Sequence, residues 1–422
     1  MADEREKIHG VLERGLTVES VKGQLENILS EDPFLAQCCG DMERLASALD
    51  FLFFGRLPAP VYTDSVPSFG FGPSPIEQAI TELENSLYGH GPFTKTAYFH
   101  LFNFSVRPEE YPPAPYPGWK FENLDYSSIA KILGESTFFS FLSPPSAGTV
   151  FLVVQDTEGF NVEPLHEWLN RRWKDALPFR QILQYSKDAI VDIDYVVPYF
   201  NPPWVNQIQR GGVYYLGTPR QDSPPTNLRY FILPGDAEQL HSLWLAYQRY
   251  ADKITAQGSS LRKAIRIAGD FYEDSHKKVS RIEQFADLII ALEALYTPPD
   301  AAEHTFRISQ SCALMVGGDS LESREATFEF LKSMFKKRGK LFHGQYDLSS
   351  QSPHDFIADQ DLSKLLSIVR RSILKFLALY LRDEQGLDKV RKDLERAILD
   401  ETFRQEFLEK ADYETLLEPK AR

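Results

Sequence analysis

The strongest constraint on the fold is a change of pattern near residue 236. Before it, short β-branched and aromatic runs alternate with stretches rich in Pro and Gly. After it, apolar residues recur at three- and four-residue spacing, the signature of amphipathic helices. The string "LPGDAEQL" marks the change, with Pro and Gly ending one pattern and Asp236 a candidate N-cap for the next. The expected fold class is therefore an α+β region over 1–235 followed by an all-α bundle over 236–422.

Within the first region three parts are distinguishable. Residues 1–57 read as helical, through "VESVKGQLENILS" and "DMERLASALDFLFFGRL". Residues 58–147 are Pro-rich loops that punctuate a helical stretch over 75–89 and an aromatic strand, "KTAYFHLFNFSV". Residues 148–235 read as sheet: "TVFLVVQD", a helix over 163–177, then "AIVDIDYVVPYF", "GGVYYLG" and "NLRYFILP". The alternation over 148–196 predicts a β-α-β element. In the second region the predicted helices span 236–256, 259–279, 280–296, 302–316, 323–343, 360–383 and 386–411.

Composition narrows the function classes. Net charge is −14, which gives no whole-surface preference for nucleic acid, so any such site must be a local basic patch. The same charge argues against a peripheral membrane role. The longest apolar runs fall short of the about 18 residues needed to span a bilayer. The three cysteines, Cys38, Cys39 and Cys312, are odd in number and form no CxxC pair, so neither a disulfide framework nor a zinc site is expected. With the charged start "MADEREKIHG", this predicts a cytoplasmic protein.

One string concentrates cationic chemistry: "KKRGKLFHG", from Lys336 to Gly344. The preceding run has Phe328, Leu331 and Phe335 on one face, Ser323 as a partial N-cap and Gly344 as a C′ residue. His343 then falls in the last turn. Five residues turn a regular helix by about 500°, so Arg338 and His343 point roughly 140° apart. They meet on one ligand only if the turn loosens at Gly339 or a second copy faces the first across a two-fold axis.

The segment from Phe285 to Gly344 resembles the Apea-like branch of the HEPN superfamily. The likeness rests on Leu292-Glu293-Ala294-Leu295 as its "LExL" helix, on "ISQSCALMVGG", on Arg324 opening the next helix, and on Arg338 to Gly344 as the Arg-x4-His string. It departs from the family in carrying Gly339 where a small polar residue is usual, and Gln310 where a basic one is expected. The resemblance implies a helical, metal-independent endoribonuclease that needs no cofactor. In such a reaction the RNA 2′-hydroxyl attacks its own adjacent phosphate, giving a 2′,3′-cyclic phosphate and a 5′-hydroxyl. His343 is then the expected general acid or base, because imidazole suits proton transfer near neutral pH. Arg338 is the expected phosphate and transition-state binder, because its planar fork donates parallel hydrogen bonds. Glu293 is expected to orient a catalytic residue, and Lys336, Lys337 and Lys340 to contact RNA. The implied partners are RNA and a second copy in a homodimer with a composite site. By analogy with two-part defence proteins, the N-terminal region is expected to sense a trigger ligand or protein and control a toxin-like or antiviral effector. The alternative is a catalytically inactive HEPN module for RNA or nucleotide binding or for protein assembly.

Other constellations have a structural reading beside the functional one. Asp192 and Asp194 share one strand face, a spacing that can hold Mg²⁺. A half-exposed strand with Val191, Ile193 and Tyr195 inward explains them better. Tyr199, Phe200 and Trp204, near Arg210 and Arg220, stack on bases if exposed and form core if buried, which is the favoured reading. "RRWK" (171–174) and "VRRSILKF" (369–376) read as solvated basic faces, the second able to flank the HEPN site. His100 and His166 lack metal-ligand spacing, and no HExxH, P-loop, GxGxxG or GxSxG occurs.

Overall fold

Strand-forming runs in the first half gather into sheets, and the periodic runs of the second half into helices. The computed structural model describes residues 61–63, 66–68, 93–105, 118–125, 128, 132, 149–158, 165–201, 214–215, 230–231, 236–252, 259–297, 304–343, 356–383 and 386–414. The helices expected over 1–57 and 75–89, Cys38 and Cys39, most of the Pro-rich loops, Trp204, Arg210, Arg220 and Gly344 lie outside the described residues.

In chain order the elements are β1 (Val61–Thr63), β2 (Val66–Ser68), β3 (Phe93–Phe102), β4 (Phe104–Ser105), β5 (Trp119–Leu124) and β6 (Thr149–Glu158). Then come α1 (Leu165–Ser186), β7 (Asp192–Asn201), β8 (Tyr214–Tyr215) and β9 (Tyr230–Phe231). The helices α2 (Asp236–Asp252), α3 (Ser260–Lys277), α4 (Arg281–Tyr296), α5 (His304–Val316) and α6 (Leu321–Phe342) follow. The last are α7 (Asp359–Asp383), α8 (Leu387–Leu399) and α9 (Glu401–Lys410). The architecture is thus α+β first and helical afterwards.

Contacts divide the chain into two compact units. The first comprises 1–100, 118–175 and 195–215; the second comprises 101–117, 176–194 and 216–422. The principal sheet has the order β5-β6-β3-β7-β8, with β6 antiparallel to both β5 and β3. Helix α1 joins β6 to β7, and β3 lies between these two strands.

In the first unit alternate side chains of β3 divide between the two sheet faces. Phe99 stacks with Trp119 of β5 and Trp173 of α1, so α1 covers that face. On the other, the His100 ring stacks on Tyr195 at 4.4 Å and packs against Phe151. Trp168 and Arg172 of α1 both donate to Asp156 of β6. Burial disfavours the Asp156 carboxylate, but these donors outweigh it and hold its pKa below the ordinary value. "RRWK" is therefore not wholly solvated: Arg172 is tied down, while Arg171 and Lys174 face solvent. Phe200 is buried beside Trp168, as the core reading of the aromatic stretch expected, and Tyr199 is half-buried.

Helix α1 runs on through Pro178, past the end expected at 177. Proline removes one backbone donor from a helix interior. Beyond it, burial of Phe179, Ile182 and Leu183 holds the helix together.

In the second unit, α3 and α4 pack on each other and both pack on α7, while α5 and α6 form a second pair that meets α4. The stretch 386–411 is two helices, not one. Asp400 leaves helical geometry at φ −126° and caps α9 by accepting from the Phe403 N–H at 3.0 Å.

Around β7, Val191, Ile193 and Tyr195 are buried, as expected, but the opposite set is not a solvated face: Asp192 and Val196 are buried too and Asp194 is half-buried. Asp192 survives there because the Arg180 guanidinium lies 3.4 Å away. Arg180, itself buried, reaches Glu273 of α3 at 2.8 Å. Arg370 overturns the solvated reading of "VRRSILKF": it is buried, donating to Asp188 at 2.6 Å and to the Tyr185 carbonyl at 2.9 Å.

Candidate active site

The entry to α6 is fixed by a two-glycine turn. A Cβ on Gly317 would lie 2.3 Å from the Ala313 carbonyl oxygen and 2.9 Å from the Arg324 Cα, so only glycine permits that approach. Gly318 has φ +93°, a conformation that L side chains rarely adopt. The N-cap is Ser320, not Ser323. Its hydroxyl oxygen accepts from the Ser323 N–H at 3.1 Å. The buried stripe of α6 is Thr327, Leu331, Met334 and Phe335. Phe328, expected within it, is only half-buried and meets Phe306 edge to face.

This stripe presses α6 onto its neighbours and turns Arg338 toward α4. On α4, Leu292 and Leu295 are fully buried, leaving Glu293 between them half-exposed. Arg338 Nη2 lies 3.3 Å from Glu293 Oε1 and 3.4 Å from Oε2. One turn on, the Phe342 ring lies under the guanidinium at 4.7 Å. Arg338 Nε is shielded from solvent and has no acceptor among the described residues. The guanidinium is thus held by a carboxylate and a ring.

The other basic groups of the string separate into two kinds. Lys337 pairs with Asp361 of α7 at 3.0 Å. Lys336 and Lys340 are exposed and form no ion pair among the described residues. His343 is the C-cap, at φ −91° and ψ 12°, with its backbone N–H donating to Gly339 and Leu341. Its side chain is exposed, and no hydrogen bond joins it to Arg338. One chain therefore brings Arg338 and Glu293 together, while His343 caps the same helix with its side chain exposed.

The remaining candidates have structural surroundings. Cys312 is buried, and burial pushes its thiol up to about 12, far from nucleophile territory. Its neighbour Ser372 accepts from the Tyr296 hydroxyl at 2.9 Å. Asp192 is engaged by Arg180. No cluster of three His, Cys, Asp or Glu among the described residues could hold a metal ion, and none of their helices is long and apolar enough to cross a membrane. The pairs Arg180–Glu273 and Arg370–Asp188 escaped sequence reasoning, because 93 and 182 residues separate the partners. No family model, curated protein or solved structure matches this chain.

Proposed function

We propose that the helical unit is a HEPN-type, metal-independent endoribonuclease with Arg338, His343 and Glu293 as its active residues. The observation that carries the reading is the Arg338–Glu293 pair at the end of α6, where His343 stands exposed. Glu293 and Phe342 preset the guanidinium, which lowers the entropy lost when its fork meets a phosphate. His343 moves the 2′-hydroxyl proton, or returns one to the 5′-oxygen, while Arg338 stabilises charge on the phosphorane. Because His343 and Arg338 diverge around the helix, the complete site is a two-fold one, assembled by a second chain. Lys336 and Lys340 guide the strand, and the N-terminal unit acts as the sensor of a defence effector.

One observation favours the alternative, an inactive RNA-binding or assembly module. Glu293 already neutralises Arg338, so an incoming phosphate must share or displace it. The two readings separate in one assay. RNA is incubated with the full chain in EDTA, and the products are examined for 2′,3′-cyclic phosphate ends. Nuclease action requires cleavage that survives EDTA and falls at least 100-fold in Arg338→Ala and in His343→Ala, with unchanged circular dichroism. Binding without cleavage, equal in all three proteins, would establish the module instead. Loss of all cleavage in EDTA would refute the metal-free mechanism.

A further inference from the structure

A cleft of about 940 Å³ opens within the helical unit at the end of α6 away from Arg338. It touches Gly318 and Asp319 at the start of that helix, roughly 28 Å from Arg338 at 1.5 Å per residue. Neither Arg338, Glu293 nor His343 lines it. One wall is α7, which supplies Arg370, Arg371 and Lys375; the other is α9 and the residues after it, including Arg404 and Tyr413.

The charges on these walls are unevenly satisfied. Arg370 is taken by Asp188, and Arg404 by Glu401. Arg371 and Lys375, one turn apart on α7, are half-buried, and neither forms an ion pair or hydrogen bond among the described residues. Burial, helped by Arg371, pulls the Lys375 ammonium below its ordinary pKa, against the pull of Asp412, Glu414 and Asp319. Two adjacent, half-buried cations with no ion-pair partner among the described residues form a seat for an oxyanion.

The rest of the lining limits what that oxyanion belongs to. Six carboxylates face four cations, so a long polyanion such as an RNA strand is repelled. Asp319, Glu409 and Asp412 offer acceptors to a ligand that carries amine or hydroxyl donors away from its anionic end. Leu314, Met315, Leu408 and Tyr413 give a flat group apolar contact. The volume is that of a small-molecule site, far more than one phosphate needs. We propose that this cleft binds a nucleoside monophosphate with an amine-bearing base, its phosphate on Arg371 and Lys375. This stands independently of the nuclease reading.

The test is isothermal titration of the full chain with AMP, with adenosine and inorganic phosphate as separate probes. AMP is expected to bind at least tenfold more tightly than either fragment and more tightly than ATP, whose extra phosphates meet the carboxylates. Arg371→Ala and Lys375→Gln should each weaken AMP at least tenfold, while Arg338→Ala leaves it unchanged. Hydrogen exchange of the unmutated chain gives an independent reading: AMP should slow exchange over 367–375 and 401–414. No AMP binding at millimolar concentration overturns the proposal. So does phosphate binding as tightly as AMP, or loss of AMP binding in Arg338→Ala but not in Arg371→Ala. Protection that appears only near 338–343 overturns it too.

Discussion

A Cβ placed on Gly339 would meet nothing within 4 Å, so this glycine is not required by any neighbour. It lies inside α6, where glycine costs the helix conformational entropy relative to alanine. Gly339→Ala is therefore expected to stabilise the protein by about 0.5–1 kcal/mol, read as a higher urea midpoint with an unchanged slope. Gly339→Ser, which restores the usual residue type of the family pattern, should fold equally well and leave RNA cleavage at least as fast. What the sequence revealed at this scale was residue type and spacing: an arginine and a histidine about 140° apart near a helix end. It did not reveal that Lys337 is occupied by Asp361, because that partner is 24 residues away on another helix. Nor did it show Phe342 under the guanidinium, although its i, i+4 spacing from Arg338 was available to be read.

Elements were the most legible scale, because helical periodicity is a local property. The segments expected as α2 to α7 all occur as helices, with ends that differ by a few residues. The failures share a cause: a residue's habitual role was read without its surroundings. Proline usually stops a helix, but the half of α1 beyond Pro178 is buried deeply enough to continue. The single helix expected over 386–411 is interrupted at Asp400, which caps the second of two helices. At the α5–α6 turn local chemistry and tertiary packing agree. Gly317→Ala would force a methyl group against the Ala313 carbonyl and the Arg324 backbone. An expected loss of about 2 kcal/mol or more would follow, seen as a lower urea midpoint. The same substitution should disturb AMP binding, since Gly318 and Asp319 line the proposed cleft.

At the level of the whole molecule, sequence patterns could not show that residues 176–194 belong to the helical unit. That membership rests on side chains far apart in the chain: Arg180 with Glu273, Tyr185 stacked on Tyr272, Asp188 with Arg370, and the Val191 N–H donating to His276 Nδ1. A fragment of 236–422 lacks every one of the N-terminal partners. It uncovers Tyr272 and His276 and leaves Glu273 and Arg370 unpaired, losses of about 1–3 kcal/mol each against a usual domain stability of about 5–15 kcal/mol. Such a fragment is expected to melt well below the full chain or to aggregate, measured by circular dichroism on heating. The Arg370 tie also bears on synthesis. Asp188 leaves the ribosome 182 residues before the arginine that receives it. At about 5–20 residues per second the end of α1 waits roughly 10–40 s for its anchor. Through that interval the nascent chain carries an unfinished helix and an unclaimed carboxylate, so the helical unit closes its core only as α7 emerges.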